Sequence, residues 1–530
     1  MRFFNTAGPV NCQYHYCLPP LERIDLAEVM TLIAQKKYFV LHAPRQTGKT
    51  STLLALMAHL NAAGKHRCLY VNFEVAQGYR ERVNEGLTAL LQEISRQARQ
   101  TLHDTTADAI ARDLIALGAP SLSDFLGRWC SAADRPTVLL IDEIDALVGY
   151  VLITVLRQLR AGYPDRPAAF PQSVVLCGVR DVRDYRIHSD QQKTIITGGS
   201  AFNIKAESLR LGDFSRAEVA MLYAQHSAET HQPFEPAAIE AVWALTKGQP
   251  WLVNALGYEV CFRMKASREW TRPITAAMIE EAKENLILRR ETHLDQLADK
   301  LREDRVRRII EPMLAGTTFG AVPPDDIQYV RDLGLCRMDP AGGLVIANPI
   351  YREVLPRVLA SVTEASLPRI AATWLTPDGH LDLPRLLQAF LAFWRQHGQP
   401  LLGSAPYHEI APHLVLMAFL HRVVNADGAL EREYAIGSGR MDLCLRYRDV
   451  TLGIEIKVWR DGESDPLAEG LVQLDRYLDG LGRPTGWPPE GHEGWLVIFD
   501  RRSGQPPISQ RTRTELANTP AGRTVTVIRG

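Results

Sequence analysis

Residues 38–63 read YFVLHAPRQTGKTSTLLALMAHLNAA. The apolar run Tyr38–His42 predicts a buried β-strand, and the stretch Ser51–Ala63 has the residue pattern of an α-helix. A short loop joins them and contains Gly48, followed at once by a lysine and a threonine. A strand that passes through such a loop into a helix is typical of a parallel sheet covered by helices, so this stretch predicts an α/β fold.

The loop at 43–50, APRQTGKT, matches the Walker A pattern G-x-x-x-x-G-K-[ST] except that Ala43 replaces the first glycine. In such loops, backbone N–H groups and a helix N-terminus face the phosphates of a nucleotide. We expect Gly48 to allow close approach, Lys49 to neutralise the β- and γ-phosphates, and Thr50 to bind Mg²⁺. The alternative, an accidental GKT at a turn, is disfavoured by the flanking strand and helix. The predicted ATP-binding residues are Pro44, Arg45, Gln46, Thr47, Gly48, Lys49, Thr50 and Ser51.

A second acidic motif follows at 137–145, TVLLIDEID. Its apolar run predicts a buried strand that ends in two carboxylates, at the edge of the sheet where α/β proteins bind ligands. Asp142 is expected to hold Mg²⁺ through water, and Glu143 to polarise the attacking water. A core strand followed by a helix cap would look the same, but the pairing with the Walker A loop favours catalysis.

Three arginines are candidates for contacts to phosphate. Arg180 ends the apolar run 173–179, where a cation could sense the γ-phosphate; a surface arginine is the alternative. Arg157 and Arg160 lie on a predicted helix and could reach the nucleotide of a neighbouring subunit. For these two, a solvated helix face is the favoured interpretation.

Composition narrows the class of protein. The chain has 530 residues, and 46% of them are hydrophobic, which is typical of soluble globular proteins. It contains 60 Lys and Arg against 61 Asp and Glu, and this balance excludes a globally basic protein that coats nucleic acid. No apolar run is long enough to span a membrane, and the first residues lack a signal-peptide pattern. The eight cysteines show no CxxC pair, so we expect reduced, mostly core cysteines in a cytoplasmic protein.

The order of predicted strands and helices divides the chain into five parts. Predicted strands alternate with predicted helices up to about residue 204. A region with only helical periodicity follows, and after it come two predicted helices and a β-hairpin, in the order that is typical of a winged helix. Beyond a helical connector, strands and helices alternate again. The predicted domains are a P-loop core at 1–204, a helical lid at 205–295, a winged-helix-like domain at 296–360, a connector at 361–404 and a second α/β domain at 405–530.

Residues 1–357 resemble the STAND-like and archaeal-ATPase-like branch of the P-loop ATPases related to AAA+ proteins. The resemblance is carried by APRQTGKT, IDEID, the strand ending in GVR, and KGQPWL at 247–252. The opening, FNTAGP at 4–9 followed by HY at 15–16, looks like a bacterial group known only as ATP-binding proteins. The resemblance implies that Tyr16 and Arg23 approach the adenine and that the turn of Gly248 and Pro250 approaches the nucleotide; a homo-oligomer through this domain is also implied.

A second set of charged residues lies at 437–460, GSGRMDLCLRYRDVTLGIEIKVWR. Glu455 and Lys457 are two positions apart on a predicted strand and therefore face the same side, and a turn brings Asp442 opposite them. Two carboxylates and a backbone carbonyl make a site for Mg²⁺, or for Mn²⁺, and Lys457 can orient a water. Edge strands also alternate Glu and Lys for solubility, but the apolar neighbours of Glu455 argue against that alternative.

Residues 405–500 resemble the PD-(D/E)XK nucleases, and within them the RecB-like group. D…E-x-K is the core of that superfamily, and Gln473 and Tyr477 match the Q-x-x-x-Y of the group. Glu409 stands where the group often carries a further acid, which implies a third metal ligand. The resemblance implies a metal-dependent deoxyribonuclease.

The charge of the C-terminal region gives little support for DNA as its partner. Residues 401–530 contain 15 Lys and Arg against 17 Asp and Glu, although the last thirty carry six Arg and one Glu. The candidate recognition helix of the winged helix, DDIQYVRD at 325–332, is acidic, which favours a packing role.

The sequence therefore predicts an ATP-dependent switch or motor joined to a metal-dependent DNase, with a role in phage defence or mobile-element control. A nucleotide-gated scaffold, whose nuclease-like domain only binds nucleic acid or a partner, is the alternative. A helicase-nuclease is disfavoured because only one ATPase core is recognised.

Overall fold

The computed structural model describes the chain from Met1 to Gly530, apart from residues 181–185, 189–194, 198–201, 203, 266–268, 290, 315–319, 367–371, 405–410, 425–427, 437–438, 449 and 482–491. The chain divides into two compact units. Unit one contains Met1–Glu291 and Pro323–Asn348, and unit two contains Thr292–Val322 and Pro349–Gly530.

The α-helices are numbered in chain order: α1 Leu26–Ala34, α2 Lys49–Ala63, α3 Val83–Leu102, α4 Thr106–Ala116, α5 Leu122–Ser131, α6 Gly149–Ala161, α7 Arg216–Thr230, α8 Pro236–Thr246, α9 Pro250–Tyr258, α10 Ala276–Leu288, α11 Thr292–Asp299, α12 Asp304–Leu314, α13 Pro324–Asp332, α14 Pro349–Ser366, α15 Leu383–Ser404, α16 Ala411–Val424, α17 Leu467–Leu481 and α18 Ile508–Arg511.

The β-strands are β1 Tyr38–His42, β2 Arg67–Asn72, β3 Thr137–Asp142, β4 Ser173–Gly178, β5 Arg186–His188, β6 Ile195–Thr197, β7 Lys205–Arg210, β8 Cys336–Met338, β9 Leu344–Ile346, β10 Gly428–Ile436, β11 Gly439–Tyr447, β12 Val450–Trp459, β13 His492–Asp500, β14 Arg513–Asn518 and β15 Thr524–Arg529.

The main sheet of unit one is parallel and has the order β2-β3-β4-β1-β7. The predicted parallel sheet is thus confirmed, and β1 has the predicted bounds. Apolar residues of α3, α5 and α6 pack in a core on one side, whereas α1 and α2 contribute to a second core on the other. The sheet is therefore buried on both faces, as its nearly continuous apolar strands require.

Strand β7 is the part of this sheet that the sequence did not predict. Its residues, KAESLR, are mostly polar and only partly buried, so they lack the apolar run of the other four strands. It pairs with β1 at the edge of the sheet. An edge strand has a neighbouring strand on one side only and is partly exposed to solvent, so polar residues are tolerated there. The sheet consequently extends beyond residue 204, to Arg210.

One buried ion pair ties the sheet of unit one to its helices. The Arg67 side chain, 9% exposed, donates hydrogen bonds to Asp104 Oδ2 (2.9 Å), Thr137 Oγ1 (2.7 Å) and the Trp129 carbonyl (2.9 Å). Its guanidinium carbon lies 4.1 Å from the centroid of the Trp129 ring. Removing the cation would take this donor from all three acceptors, although Asp104 Oδ2 would keep the hydrogen bond from the Trp129 indole at 2.7 Å.

The substitution Arg67→Met is expected to lower the free energy of unfolding by about 3–5 kcal/mol, because it breaks a buried pair. Arg128→Met is the matched control, since Arg128 pairs with Asp113 and Asp124 on the surface and should cost at most about 1 kcal/mol. Urea denaturation followed by tryptophan fluorescence measures both. Equal losses in the two variants would contradict this assignment.

The main sheet of unit two is mixed, with the order β10-β11-β12-β13-β15-β14. The pairs β10/β11, β11/β12 and β14/β15 are antiparallel, whereas β12/β13 and β13/β15 are parallel. Helix α17 lies between β12 and β13 in the chain and packs on the sheet through Leu474 and Leu478. The strands and helices of this unit agree with the prediction that both kinds of element recur after the helical connector.

The elements of the predicted winged helix are divided between the two units. Helix α12 belongs to unit two, whereas α13 and the hairpin of β8 and β9 belong to unit one. The order helix, helix, hairpin is present in the chain, and Tyr329, Val330 and Asp332 of α13 are buried. Their burial favours the predicted packing role of this helix.

The expectation that all eight cysteines are reduced is wrong for two of them. Cys12 and Cys17 form a disulfide, with their Cα atoms 5.2 Å apart. The turn between them, in which Tyr14 and His15 donate backbone hydrogen bonds to the Asn11 carbonyl, brings the two residues together. The other six cysteines are buried thiols.

Within the described ranges, no helix combines the length and the apolar character needed to cross a membrane.

Candidate functional site

The Walker A loop follows β1 and ends at α2. Gly48 precedes the helix with φ 97°, a left-handed conformation that favours glycine, and Gln46 also has a positive φ of 58°. Lys49 is buried, and its Nζ donates to the carbonyl oxygens of Ala43 and Pro44, both at 3.0 Å. The lysine therefore lies folded within the loop, with its charge at the N-terminus of α2.

The structure brings Thr50 and Asp142 together at the carboxyl ends of β1 and β3. Thr50 Oγ1 donates to Asp142 Oδ2 at 2.7 Å, and the Asp142 side chain is 0% exposed. Tyr70 OH donates to the same oxygen at 3.0 Å. A hydroxyl and a buried carboxylate are ligands that suit Mg²⁺, so these residues fit the predicted ion.

Glu143 follows Asp142 in a left-handed conformation, with φ 54°. Burial and the neighbouring Asp145 raise the pKa of its carboxyl group, although Lys49 acts in the opposite direction. A base of raised pKa beside a phosphate-binding loop suits the predicted polarisation of water.

A pocket with a cavity volume of about 120 Å³, partly open to solvent, lies next to the loop. Its walls come from the N-terminal residues, the Walker A loop and the helices after β7. Of the residues predicted to bind nucleotide, it is lined by Tyr16, Arg23, Gln46, Thr47, Gly48, Ser51 and Pro250. Lining residues that the sequence did not predict include Asn5, Thr6, Val10, Phe214, Trp251 and Asn254.

The N-terminal segment Phe3–Leu18, here called the strap, closes one side of this pocket. Val10 N donates to Ser51 Oγ at 3.0 Å, which connects the strap to α2. The Trp251 indole donates to the Thr6 carbonyl at 3.0 Å, and Cys17 N donates to Gln225 Oε1 at 3.0 Å. The strap thus joins the Walker A helix to α7 and α9.

Arg23 connects the Walker A loop to the start of the helical region. Its Nη1 donates to the Thr47 carbonyl at 2.5 Å and its Nη2 to the Gly212 carbonyl at 2.6 Å. Burial lowers the pKa of Arg23 to about 10, a value at which it remains a cation near neutrality. The guanidinium also lies over the Phe214 ring, 4.6 Å from its centroid.

A second group of charged side chains lies on the sheet of unit two. Asp442 is on β11, and its Oδ2 accepts a hydrogen bond from Ile456 N at 2.7 Å. Glu455 and Lys457 are on β12, and Lys457 Nζ lies 3.2 Å from Glu455 Oε1. Lys457 also donates to Gln473 of α17, so the structure brings together four of the residues that the sequence singled out.

Glu455 is the most unusual member of this group. Its side chain is 4% exposed, and Oε2 is buried without a hydrogen-bond partner among the described residues. Burial and the neighbouring Asp442 raise the pKa of its carboxyl group. A carboxylate oxygen left without a donor is the kind of atom that a metal ion can satisfy, so Asp442 and Glu455 fit a divalent cation.

Lys457 remains a strong cation in this setting. Burial lowers its pKa, but the carboxylates of Glu455, Asp442 and Glu469 outweigh burial and raise it. Glu469, whose Oε1 lies 3.4 Å from Lys457 Nζ, was not predicted. A sequence signal existed, because it lies four residues before Gln473 on the same helix face.

Two further residues that were predicted for this site, Tyr477 and Glu409, add little to its description. Tyr477 packs against the apolar cluster between α17 and the sheet. Glu409 lies outside the described residues. Within the described ranges, no cluster of three or more His, Cys, Asp or Glu side chains is arranged to hold a metal.

The first of these two sites lies in a region that matches a known family. The family model for the AAA domain matches residues 33–185, which include the Walker A loop and the motif at 137–145. This region is therefore similar to AAA domains, and it is here called the AAA domain. No curated protein matches the chain significantly.

Solved structures share low identity with this chain. The Walker-type ATPase of Pyrococcus abyssi is 14% identical, and the match covers 66% of this chain and 99% of that one, with a TM-score of 0.45. RuvB of Thermotoga maritima, a Holliday junction branch migration motor, is 13% identical over 61% of this chain and 93% of its own (TM-score 0.33). Cdc6p of Pyrobaculum aerophilum is 15% identical over 66% and 96% (TM-score 0.35).

The three candidate arginines of the AAA domain differ in their surroundings. Arg157 and Arg160 are exposed on α6, as the favoured solvated-face interpretation predicts. Arg180 follows β4 and is largely buried, with its Nε 3.8 Å from Asp332 Oδ2. Its position at the carboxyl end of the strand next to β1 is compatible with the predicted γ-phosphate contact.

Gly248 does not line the pocket but fixes the turn that presents Pro250. Its φ is +83°, and a Cβ built there would lie 1.9 Å from the Phe214 carbonyl oxygen. Phe214 N donates to the Gly248 carbonyl at 2.8 Å, so any side chain at this position would displace a residue that lines the pocket.

The substitution Gly248→Ala is therefore expected to weaken ATP binding to the AAA domain by roughly tenfold, through strain and displacement of the pocket wall. Gly212→Ala is the control, because a Cβ at Gly212 would meet no atom within 4 Å. Fluorescence titration with a labelled ATP analogue measures both. Equal affinities of the two variants would contradict the importance of this turn.

Proposed function

We propose that this chain is an ATP-hydrolysing switch or motor coupled to a Mg²⁺-dependent DNA endonuclease. The observation that carries the proposal is the convergence of Asp442, Glu455, Lys457 and Gln473 on one side of the sheet of unit two, in a chain that also contains an AAA domain. The two sites have different chemistry, and each needs a divalent cation.

In the AAA domain, Lys49 and the N-terminus of α2 would bind the β- and γ-phosphates. Thr50 and Asp142 would hold Mg²⁺, and the bound ion would neutralise charge that develops on the phosphates. Glu143 would polarise the attacking water and accept its proton, a role that suits a carboxylate whose pKa is raised by burial and by the neighbouring Asp145. The strap and Pro250 would enclose the base end of the nucleotide.

In unit two, Asp442 and Glu455 would hold the metal ion that stabilises charge on a scissile phosphate. Lys457 would orient the attacking water, and Gln473 would hold the ammonium group in place. The support for this role is the burial of Glu455, since a charged group is rarely kept in an apolar strand without compensation.

The biological setting that we propose is phage defence or control of mobile elements, because ATPase and nuclease motifs share one chain. A strain that lacks the gene should show altered phage sensitivity or altered transfer of mobile DNA. Unchanged phage plaquing and unchanged conjugation frequencies would remove this part of the proposal.

A scaffold whose nuclease-like unit only binds nucleic acid or a partner is the second candidate. The pairing of C-terminal arginines with acids favours it: Arg502 with Asp500, Arg523 with Asp475 and Asp479, and Arg529 with Asp465 and Glu515. Paired arginines offer less charge to a phosphate backbone, so binding to DNA through this flank would be weak.

Incubation of the purified full chain with supercoiled plasmid or single-stranded DNA tests the proposal. Mg²⁺, Mn²⁺ or EDTA would be present, each with and without ATP. We expect nicked or linear products only with a divalent cation. A protein that hydrolyses ATP and retards DNA in gels, but cuts under none of these conditions, would support the scaffold instead.

A further inference from the structure

Glu469 is an exposed carboxylate at the edge of the site in unit two. It lies in the first turn of α17, where its Oε1 accepts from Gln473 Nε2 at 2.9 Å and lies 3.4 Å from Lys457 Nζ. Its side chain is 66% exposed, and an isolated ion pair of such an acid would contribute little. Here one oxygen serves two residues of the site, so Glu469 belongs to a hydrogen-bond network that includes Lys457.

The carboxylate of Glu469 determines which way the amide of Gln473 points. Gln473 Nε2 donates to Glu469, so its Oε1 is turned toward Lys457, from which it accepts a hydrogen bond. An amide has one accepting oxygen and one donating nitrogen. The reverse orientation would place the nitrogen against the ammonium group and the oxygen against the carboxylate, and both contacts would be repulsive. Glu469 therefore makes Gln473 an acceptor for Lys457.

The ammonium group of Lys457 has partners on two elements of unit two. On its own strand, β12, it lies 3.2 Å from Glu455 Oε1. From α17, Glu469 and Gln473 both accept its hydrogen bonds. An ammonium group has three N–H donors, so these three acceptors account for all of them. Two of the three contacts depend on where α17 lies.

The N-terminal end of α17 is fixed against the sheet. Gly470 is buried, and a Cβ built there would lie 2.5 Å from Leu496 Cδ1 of β13. Just before the helix, Asp465 Oδ1 accepts from Leu467 N at 3.0 Å. Close packing and this cap together hold the backbone of Glu469, and a rigid backbone is what a group that positions its neighbour requires.

The ammonium group of Lys457 would be repelled by a divalent cation bound at Asp442 and Glu455, and it would lose Glu455 as a partner. A second carboxylate close to the ammonium group offsets this repulsion. We propose that Glu469 is a positioning residue, which holds Lys457 directly and through Gln473. Its contacts keep the ammonium group beside Glu455 when that carboxylate binds a metal ion. This inference rests on the nuclease activity of the proposed function.

Steady-state kinetics of DNA cleavage by the full chain in Mg²⁺ test this role. Glu469→Gln should lower kcat about tenfold, because the ammonium group is displaced, and should leave KM for the plasmid within about twofold of wild type. Asp479→Asn is the matched control, since Asp479 is a similarly exposed acid of α17 and pairs with Arg523. Its kcat and KM should be those of wild type. An unchanged kcat in Glu469→Gln, or a change in KM alone, would overturn the inference.

Acetylation of Lys457 in the metal-free chain tests its position without any cleavage. An ammonium group held by several acceptors reacts slowly with acetic anhydride. In EDTA, mass spectrometry should show acetylation of Lys457 at least about threefold faster in Glu469→Gln than in wild type. Asp479→Asn should react at the wild-type rate.

Thermal unfolding of the same preparations is the control for the fold. Both variants should unfold at the wild-type temperature, because exposed ion pairs contribute little to stability. Equal acetylation rates of Lys457 in Glu469→Gln and wild type would overturn this inference alone. A wild-type chain that cuts no DNA under any condition would overturn the proposed function and this inference with it.

Discussion

Lys49→Ala is expected to reduce ATP hydrolysis by at least about 100-fold, the loss typical of removing a group that stabilises a charged transition state. Lys49 Nζ donates to the carbonyls of Ala43 and Pro44, so the side chain is already aimed into the loop. Phosphate release from the purified chain measures the effect.

The control for this experiment is Lys65→Ala, which removes an exposed lysine just after the C-terminal end of α2. It should hydrolyse ATP at the wild-type rate. Both variants should keep the wild-type circular dichroism spectrum, since neither side chain is part of an apolar core. A Lys49→Ala protein that retains half of the activity would show that hydrolysis does not take place at this loop.

Glu455→Gln is expected to reduce DNA cleavage by at least about 100-fold. The variant should be as stable as wild type, or more stable by up to about 2 kcal/mol in the free energy of unfolding. The physical reason is that Glu455 Oε2 is buried without a hydrogen-bond partner among the described residues, close to the carboxylate of Asp442. An amide of the same shape removes the like charge. Lys457 keeps Glu469 and Gln473 as partners.

Plasmid nicking and thermal unfolding of the same preparations measure the two halves of this prediction. Glu515→Gln is the control, because Glu515 is exposed on β14 and pairs with Arg529. It should cleave DNA normally. If Glu455→Gln unfolds several degrees below wild type and still cuts DNA, Glu455 is a structural acid and the nuclease site lies elsewhere.

Residues with a strong local pattern were predictable from the sequence. The strand Tyr38–His42 was predicted with its observed bounds, and Thr50 and Asp142, 92 positions apart, meet through a hydrogen bond. The alternation at Glu455 and Lys457 likewise placed both residues on one strand face. In each case a few neighbouring residues determine where the functional group lies.

Other parts of the site depend on contacts between distant residues, which local patterns do not encode. Strand β7 is polar and is held by its pairing with β1, and Tyr70 reaches Asp142 only because β2 and β3 are neighbours in the sheet. The return of Pro323–Asn348 to unit one likewise depends on tertiary packing. The Cys12–Cys17 pair had no signal beyond two cysteines in one short segment.

The rate of plasmid cleavage by the full chain as a function of ATP concentration tests whether the AAA domain controls the site at Glu455. In Mg²⁺, we expect ATP to change the wild-type rate, Lys49→Ala to cut at a rate independent of ATP, and Glu455→Gln not to cut. A wild-type rate that is the same at every ATP concentration, or cleavage that survives in Glu455→Gln, would contradict this expectation.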